Sequence, residues 1–406
     1  MVQIQKHATI GIIYFCIIAF LGIILRMSHV IFLSTNYKHI VHTHSHVALL
    51  GWIYTGITSL IYQLYLSKRN IGKTYKRLFW CTQITIIGML FTFPFTGYAF
   101  FSIVFSSLFI VASYYFFWLF IKNTTPEQKN SFSYALIRSA LIYMILSSIG
   151  PWALGIIMNT LGSFSPWYKH AIYFYLHFQY NGWFFLSLLG VFFYILEQQK
   201  INIPRKRKRL LYYSFQIGIL LSFFLSVLWN TPKSLVYLLA GTGAISQLLG
   251  LGVFIKISNS SFFIFRKDLS PFKRGLYRFI LGLLCLKFFL QTLTAFPYFS
   301  NIVHSNLDLI IGYLHLTFLG IISLALLLFL NHFYLIVLPK TSMTLYLIGF
   351  IGSELLICYK GISIWLQLPL FSHYFFLLTL LSCFMPIGIS FLLFSNLRHL
   401  NRSSLL

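Results

Sequence analysis

The sequence predicts an all-α polytopic membrane protein of about 12 transmembrane helices, in a pseudo-threefold arrangement of four-helix units. Three observations predict it: the composition, the lengths of the apolar runs, and the placement of the basic residues. Of the 406 residues, 58% are hydrophobic and only 9% are charged. Soluble domains carry roughly a quarter charged residues, so this chain cannot cover a water-facing surface. Soluble enzymes, disordered tails and disulfide-rich secreted modules are therefore excluded.

The apolar runs divide the chain into twelve predicted spans, each near the roughly 20 residues that cross a bilayer as a helix. No soluble domain is inserted between them, so residues 1–406 are predicted to form a single transmembrane domain. The spans, numbered 1 to 12 in chain order, cover residues 8–27, 44–66, 79–99, 101–121, 133–158, 171–196, 211–229, 234–256, 275–295, 306–330, 342–366 and 373–395. Pro94, Pro151 and Pro386 predict kinks, because proline interrupts helical hydrogen bonding.

Basic residues lie mainly on one side of the predicted membrane. Clusters at 68–77, 200–209 and 256–278 mark that side, and only five of the 30 Lys and Arg residues fall at the opposite helix ends. Cytoplasmic loops carry the excess of Lys and Arg, which predicts a multi-pass protein of the inner (cytoplasmic) membrane with both termini cytoplasmic. Most of the basic residues behind the net charge of +25 lie in these segments, and the lipid bilayer is the first expected partner. Nucleic acid is not expected as a partner, because no aromatic-rich polar face accompanies the charge.

Three intramembrane histidines stand in matched motifs. His46 in span 2, His177 in span 6 and His315 in span 10 are each followed five residues later by glycine. The intervals between these histidines are 131 and 138 residues, four spans each time, which predicts a threefold internal repeat. In the predicted topology all three enter from the outer side and lie at one depth.

Polar groups at one depth in lipid favour a functional site. Neutral imidazole is a good ligand for iron, copper and zinc. A glycine one and a half turns further on leaves space for a flat macrocycle or for a close contact between helices. A metal or haem site is therefore the preferred interpretation of the three motifs. The alternative is that each imidazole hydrogen-bonds to a carbonyl group of a neighbouring helix.

The chain resembles subunit I of the haem–copper oxidase superfamily, which includes cytochrome oxidases and nitric oxide reductases. The resemblance lies in the twelve spans, in the histidines on spans 2, 6 and 10, and in the threefold repeat of four spans. The resemblance implies one low-spin haem b, with His315 as one axial ligand and His46 or His44 as the other. The internal repeat favours His46, whereas the family's own spacing leaves both open. The resemblance further implies that Arg26 faces the haem propionates. His177, alone or with His44, would bind copper or another second metal, or would line an outer-facing cavity.

The sequence departs from this family where the oxygen-reducing centre would lie. Tyr313 replaces the histidine of the high-spin haem, and no histidine occurs between residues 178 and 303, where the family has a copper-binding pair. Gln179 and Asn181 replace the usual acidic residue near the histidine of span 6. The resemblance therefore implies a role in electron transport with an incomplete binuclear centre. Whether the protein is an enzyme stays open; if it is, the resemblance implies an oxidoreductase of the cytochrome oxidase or nitric oxide reductase type.

Because the chain has no c-type haem motif, a quinol or a separate cytochrome would supply the electrons, and partner subunits are implied.

Lys287 in span 9 and Glu354 in span 11 lie at a matched depth, which predicts a buried ion pair, with a proton relay as the alternative. Two other functions stay open. One is a membrane transporter or carrier of haem, metal or a small solute that uses the histidines, and the other is a structural assembly partner.

Overall fold

The computed structural model describes residues 3–230, 232–265 and 269–403. Within these ranges, twelve helices are long and apolar enough to cross a membrane, which confirms the predicted fold class. In chain order they are α1 Ile4–Met27, α2 Tyr37–Leu66, α3 Gly72–Thr96, α4 Phe100–Asn123, α5 Phe132–Thr160, α6 Pro166–Gln198, α7 Arg205–Val227, α8 Ser234–Ser260, α9 Pro271–Leu293, α10 Leu307–His332, α11 Lys340–Trp365 and α12 Tyr374–Asn401.

Two helices that carry motif histidines begin earlier than predicted, because polar side chains cap them. Helix α2 begins at Tyr37 instead of residue 44, where the side chain of Asn36 accepts hydrogen bonds from two backbone N–H groups of the first turn. Helix α6 begins at Pro166 instead of residue 171, after Ser165, whose hydroxyl accepts a backbone N–H. Hydropathy misses such starts because capping residues are themselves polar. The motif histidines of α2 and α6 consequently lie about two to three turns inside their helices.

Proline interrupts two of the three helices in which the sequence predicts kinks. Regular α-helix stops after Ser147 in α5 and after Ser382 in α12. In each helix the proline, Pro151 or Pro386, follows four residues later, where its missing N–H would have bonded that carbonyl group. Helix α3 continues through Pro94 without an interruption.

The chain forms two compact units. The first runs to Thr125 and resumes at Leu326, and it holds α1–α4, α11, α12 and the last part of α10. In it α1 packs against α2 and α12, α2 and α4 against α3, and α11 against α12. The second unit, Pro126–Ala325, holds α5–α9 and most of α10; in it α6 packs against α5 and α7, α8 against α7 and α9, and α9 against α10. The single domain and the pseudo-threefold arrangement stay predictions.

The three helices that carry the motif histidines are the most buried of the twelve described spans. In their most apolar windows 89% (α2), 83% (α6) and 56% (α10) of the residues are buried, against 33–44% in the other nine. A helix surrounded by protein can hold polar side chains that are costly on a helix facing lipid. These three helices are thus the ones suited to carry an intramembrane polar site.

Candidate functional site

Each motif histidine is followed directly by a π-helical segment. The segments are Val47–Tyr54 after His46, Phe178–Phe184 after His177 and Leu316–Ser323 after His315. Each one contains the glycine of its motif. A π-helix hydrogen-bonds one residue further along the chain than an α-helix, and such segments are rare and occur frequently at functional sites. The repeat seen in the sequence therefore has a counterpart in the backbone of α2, α6 and α10.

In α2 and α6 the motif glycine allows a close helix contact. A Cβ atom on Gly51 would lie 2.9 Å from Cγ of Tyr14 in α1, and one on Gly182 would lie 2.6 Å from Cβ of Tyr143 in α5. Helices α1 and α5 stand four spans apart, so the two tyrosine contacts are equivalent under the repeat. The sequence allows these glycines two roles, space for a flat macrocycle or a close contact between helices. The contacts with the two tyrosines show the second role.

His46 is held in a defined orientation within the first unit. Its Nδ1 lies 2.8 Å from the backbone oxygen of His42. Because a carbonyl oxygen only accepts, Nδ1 carries the hydrogen and Nε2 keeps its lone pair. The Tyr98 hydroxyl, 3.3 Å from Nε2, can donate to that lone pair, and the ring packs against Phe93 with centroids 4.5 Å apart. A histidine that binds a metal commonly donates its other N–H to a carbonyl in this way.

His44, the other candidate ligand in α2, contacts a different helix. Residues two apart on a helix point about 200° apart. The His44 ring lies against α1, where a Cβ atom on Gly22 would be 3.3 Å from its Cε1. Its Nδ1 is buried and has no hydrogen-bond partner among the described residues. The two candidate ligands thus have separate surroundings, and substitution can distinguish them.

His177 is buried in the second unit with both ring nitrogens hydrogen-bonded. Its Nε2 donates to the backbone oxygen of Ile219 in α7 at 2.8 Å, and its Nδ1 accepts from the amide of Asn181 at 3.3 Å. These contacts match the carbonyl-bonding alternative that the sequence leaves open. In this arrangement neither nitrogen has a lone pair available to a metal. The role of His177 as a ligand of copper or another second metal therefore gains no support from these contacts.

Asn181 links His177 to a buried cation. Lys287 in α9 is 1% exposed. Its Nζ donates to Oδ1 of Asn181 at 2.8 Å and to Oε1 of Gln291 at 3.0 Å. The ammonium also lies 4.3 Å from the centroid of the Phe288 ring. Neutral amide oxygens and an aromatic face therefore stabilise this charge.

Hydrogen bonds continue from this cation to three further helices of the second unit. Gln291 donates to Gln247 in α8 at 2.6 Å, and Gln247 donates to Ser222 in α7 at 3.0 Å. Tyr313 in α10 donates to Oε1 of Gln291 at 3.0 Å. Together with Asn181 of α6, these residues form the Lys287 network, which joins α6, α7, α8, α9 and α10 around one ammonium group.

Glu354 lies in α11 of the first unit. It is 8% exposed, and neither carboxylate oxygen has a hydrogen-bond partner among the described residues. Arg26 of α1 interacts with it electrostatically. Because the hydrogen bonds of Lys287 go to two amides, they give no support to the expected Lys287–Glu354 ion pair, which stays a prediction. The expected contact between Arg26 and haem propionates also stays a prediction.

His315 is the last residue of the α-helical segment Leu307–His315, two residues after Tyr313. Its role as an axial ligand stays a prediction.

The Lys287 network is the part of the site that sequence reasoning missed. A signal for it was present, because Lys287 and Gln291, like His177 and Asn181, are four residues apart and so share a helix face.

Within the residues that the structure describes, no group of three or more His, Cys, Asp or Glu side chains is placed to hold a metal ion. A haem with two axial histidines requires only two protein ligands, so it does not depend on such a group. A scan against protein-family models gives no match, and a search among curated proteins gives no significant match. The chemistry of the side chains described above is therefore the basis for a functional proposal.

Proposed function

We propose that this protein is an integral membrane haem-binding protein that resembles subunit I of the haem–copper oxidases. In the proposal one haem b is ligated by His46 and His315, and the protein has a respiratory or redox role with an incomplete binuclear centre. The bound haem would supply one-electron transfer. A quinol or a cytochrome would donate the electrons, and partner subunits would complete the assembly.

The observation that carries the proposal is the orientation of His46. Its Nδ1 donates to the His42 carbonyl and Nε2 keeps a lone pair, as an axial ligand requires. The group found at Nε2 is the hydroxyl of Tyr98, a side chain that is 43% exposed and therefore has room to move away. The residue thus fits the haem that the resemblance implies.

The matched backbone at the other motifs adds support for His315. Both His46 and His315 directly precede a π-helical segment in a helix that is largely buried. His177 shares this position, but its two nitrogens bond Ile219 and Asn181. The proposal therefore assigns the two ligands to α2 and α10 and includes no second metal at His177.

The test is a reduced-minus-oxidised visible spectrum and a pyridine haemochrome assay on the purified full chain, with metal analysis alongside. We expect a sharp low-spin b-type signal at about one haem per chain. His46→Ala and His315→Ala should each abolish the bis-imidazole spectrum, since each removes one axial ligand. His44→Ala is the matched control, two residues away in the same helix, and should keep it.

Two results would contradict this proposal. A protein that binds neither haem nor metal after both are supplied would remove its basis. A spectrum that survives His46→Ala and is lost in His44→Ala would move the ligand to the other histidine of α2.

The carrier alternative draws on a different observation, the Lys287 network. Ionisable side chains within a membrane protein often mark the pathway of a transported solute. A protein without haem that takes up a solute into vesicles, and whose Lys287→Met variant is still folded but no longer does so, would favour the carrier.

A further inference from the structure

Glu354 is an acidic side chain that is buried in the first unit, where its carboxylate oxygens accept no hydrogen bond from the described residues. It is 8% exposed, and both Oε1 and Oε2 are buried without a hydrogen-bond partner among the described residues. An ionised carboxylate removed from water in this way is costly, and hydrogen bonds or a paired charge normally compensate for that cost. Glu354 has no such hydrogen bonds, so its charge depends on the groups nearby.

The charged and titratable groups that act on Glu354 come from α1 and from its own helix. Arg26 of α1 interacts with it through space, and neither Glu354 oxygen accepts a hydrogen bond from that guanidinium. Within α11, Tyr346 and Cys358 also interact with the carboxyl group. Tyr374 of α12 acts on Arg26. Among the described residues, Arg26 is thus the cation that acts on Glu354, and it does so without a hydrogen bond to either oxygen.

A bound metal ion does not fit these surroundings. Hard cations such as Ca²⁺ require six to eight oxygen ligands, and Mg²⁺ requires an octahedral set. Glu354 offers two oxygens, and the guanidinium of Arg26 repels any cation placed between them. A proton is different, because it needs only one carboxylate oxygen and no coordination shell.

We infer that Glu354 is a proton-binding site of the membrane interior. In one state an oxygen of the carboxylate holds a proton through a covalent O–H bond, and the side chain is neutral. In the other state that bond is broken, the proton has left to water, and the carboxylate is anionic beside Arg26. The exchange moves one proton and no electrons. It involves neither the proposed haem nor any of the motif histidines.

The composition of the chain allows a direct test. The sequence contains only three glutamates, Glu127, Glu197 and Glu354. Glu197 accepts hydrogen bonds from the backbone N–H of Phe132 and Ser133 at 2.9 and 3.1 Å, and from the Ser133 hydroxyl. Glu354 has no such donors among the described residues. Glu197→Gln is thus a matched control for Glu354→Gln.

The experiment is infrared spectroscopy of the full chain in lipid bilayers, made by cell-free synthesis with and without glutamate labelled with carbon-13 at the side-chain carboxyl. At neutral pH we expect a carbonyl stretch of a protonated carboxyl group that shifts with the label. The whole band should disappear in Glu354→Gln and remain in Glu197→Gln. Glu354→Asp should retain a protonated carboxyl band that no longer shifts with the glutamate label.

The absence of any label-sensitive protonated carboxyl band in the unaltered protein at neutral pH would overturn the inference without any variant. A band that persists unchanged in Glu354→Gln would do the same. The amide bands of the same spectra show whether each variant is folded. Because no haem is needed for the measurement, failure of the haem proposal leaves this result unaffected.

Discussion

Lys287 shows how one charged side chain is accommodated in the interior of a membrane protein. The ammonium has two amide oxygens and an aromatic ring as neighbours. Each amide that accepts from Lys287 donates onward, Asn181 to His177 and Gln291 to Gln247. Chains of this kind strengthen the individual bonds, because each donor polarises the next.

Replacement of Lys287 by methionine should destabilise the fold. Methionine has a similar length but no donor, so Oδ1 of Asn181 would lose its Lys287 donor at a cost of about 1–3 kcal/mol, whereas Oε1 of Gln291 would keep the Tyr313 hydroxyl. The measurement is thermal or denaturant-induced unfolding in detergent, followed by tryptophan fluorescence. Lys233→Met, at an exposed position, is the control and should have little effect. Equal or greater stability of the Lys287 variant would show that removing the desolvated charge outweighs the lost hydrogen bonds.

At the scale of elements, the π-helical segments and their glycines define how α6 packs against α5. A Cβ atom on Gly182 would approach Cβ of Tyr143 to 2.6 Å and Cγ to 2.7 Å. These atoms are close to the Tyr143 backbone, so the tyrosine cannot move aside by a simple rotation of its ring. The contact thus fixes the spacing of the two helices.

Gly182→Ala should destabilise the protein by about 1–3 kcal/mol, as overpacking of an interior does. In the same unit, a Cβ atom on Gly252 in α8 would have nothing within 4 Å. Gly252→Ala should therefore leave stability unchanged or raise it by up to about 1 kcal/mol, because alanine favours helix. The two melting temperatures, measured in the same detergent, check the pair. A Gly182 variant as stable as the Gly252 variant would argue against the close contact.

Sequence reasoning located the helices well and their interactions less well. Runs of apolar residues predict the spans because a bilayer imposes length and hydropathy directly. The starts of α2 and α6 were misplaced because Asn36 and Ser165 cap helices with polar side chains. The partners of Lys287 were missed because the sequence gives its depth along α9 and not the direction in which it points. The shared depth in the membrane suggested Glu354 as the partner of Lys287, whereas the hydrogen bonds of Lys287 go to Asn181 and Gln291.

At the scale of the whole molecule, the basic loops predict an orientation that reporter fusions can check. Alkaline phosphatase is active only outside the cytoplasm, and loops rich in Lys and Arg stay inside. A fusion after Lys233, between α7 and α8, should be active, and one after Lys200, between α6 and α7, should be inactive. Activity in whole bacterial cells is the measurement, normalised to the amount of each fusion. The reverse pattern would invert the predicted topology.

The Lys287 network also constrains the order in which its residues can change during evolution. Loss of Lys287 first would leave Oδ1 of Asn181 buried without that donor, and Oε1 of Gln291 with the Tyr313 hydroxyl alone. Loss of either amide first would leave the ammonium with one acceptor fewer. An evolving chain would therefore pass through a less stable intermediate unless several of these positions changed nearly together. Single substitutions in this network should accordingly be rarer than coordinated replacements by apolar side chains of similar volume.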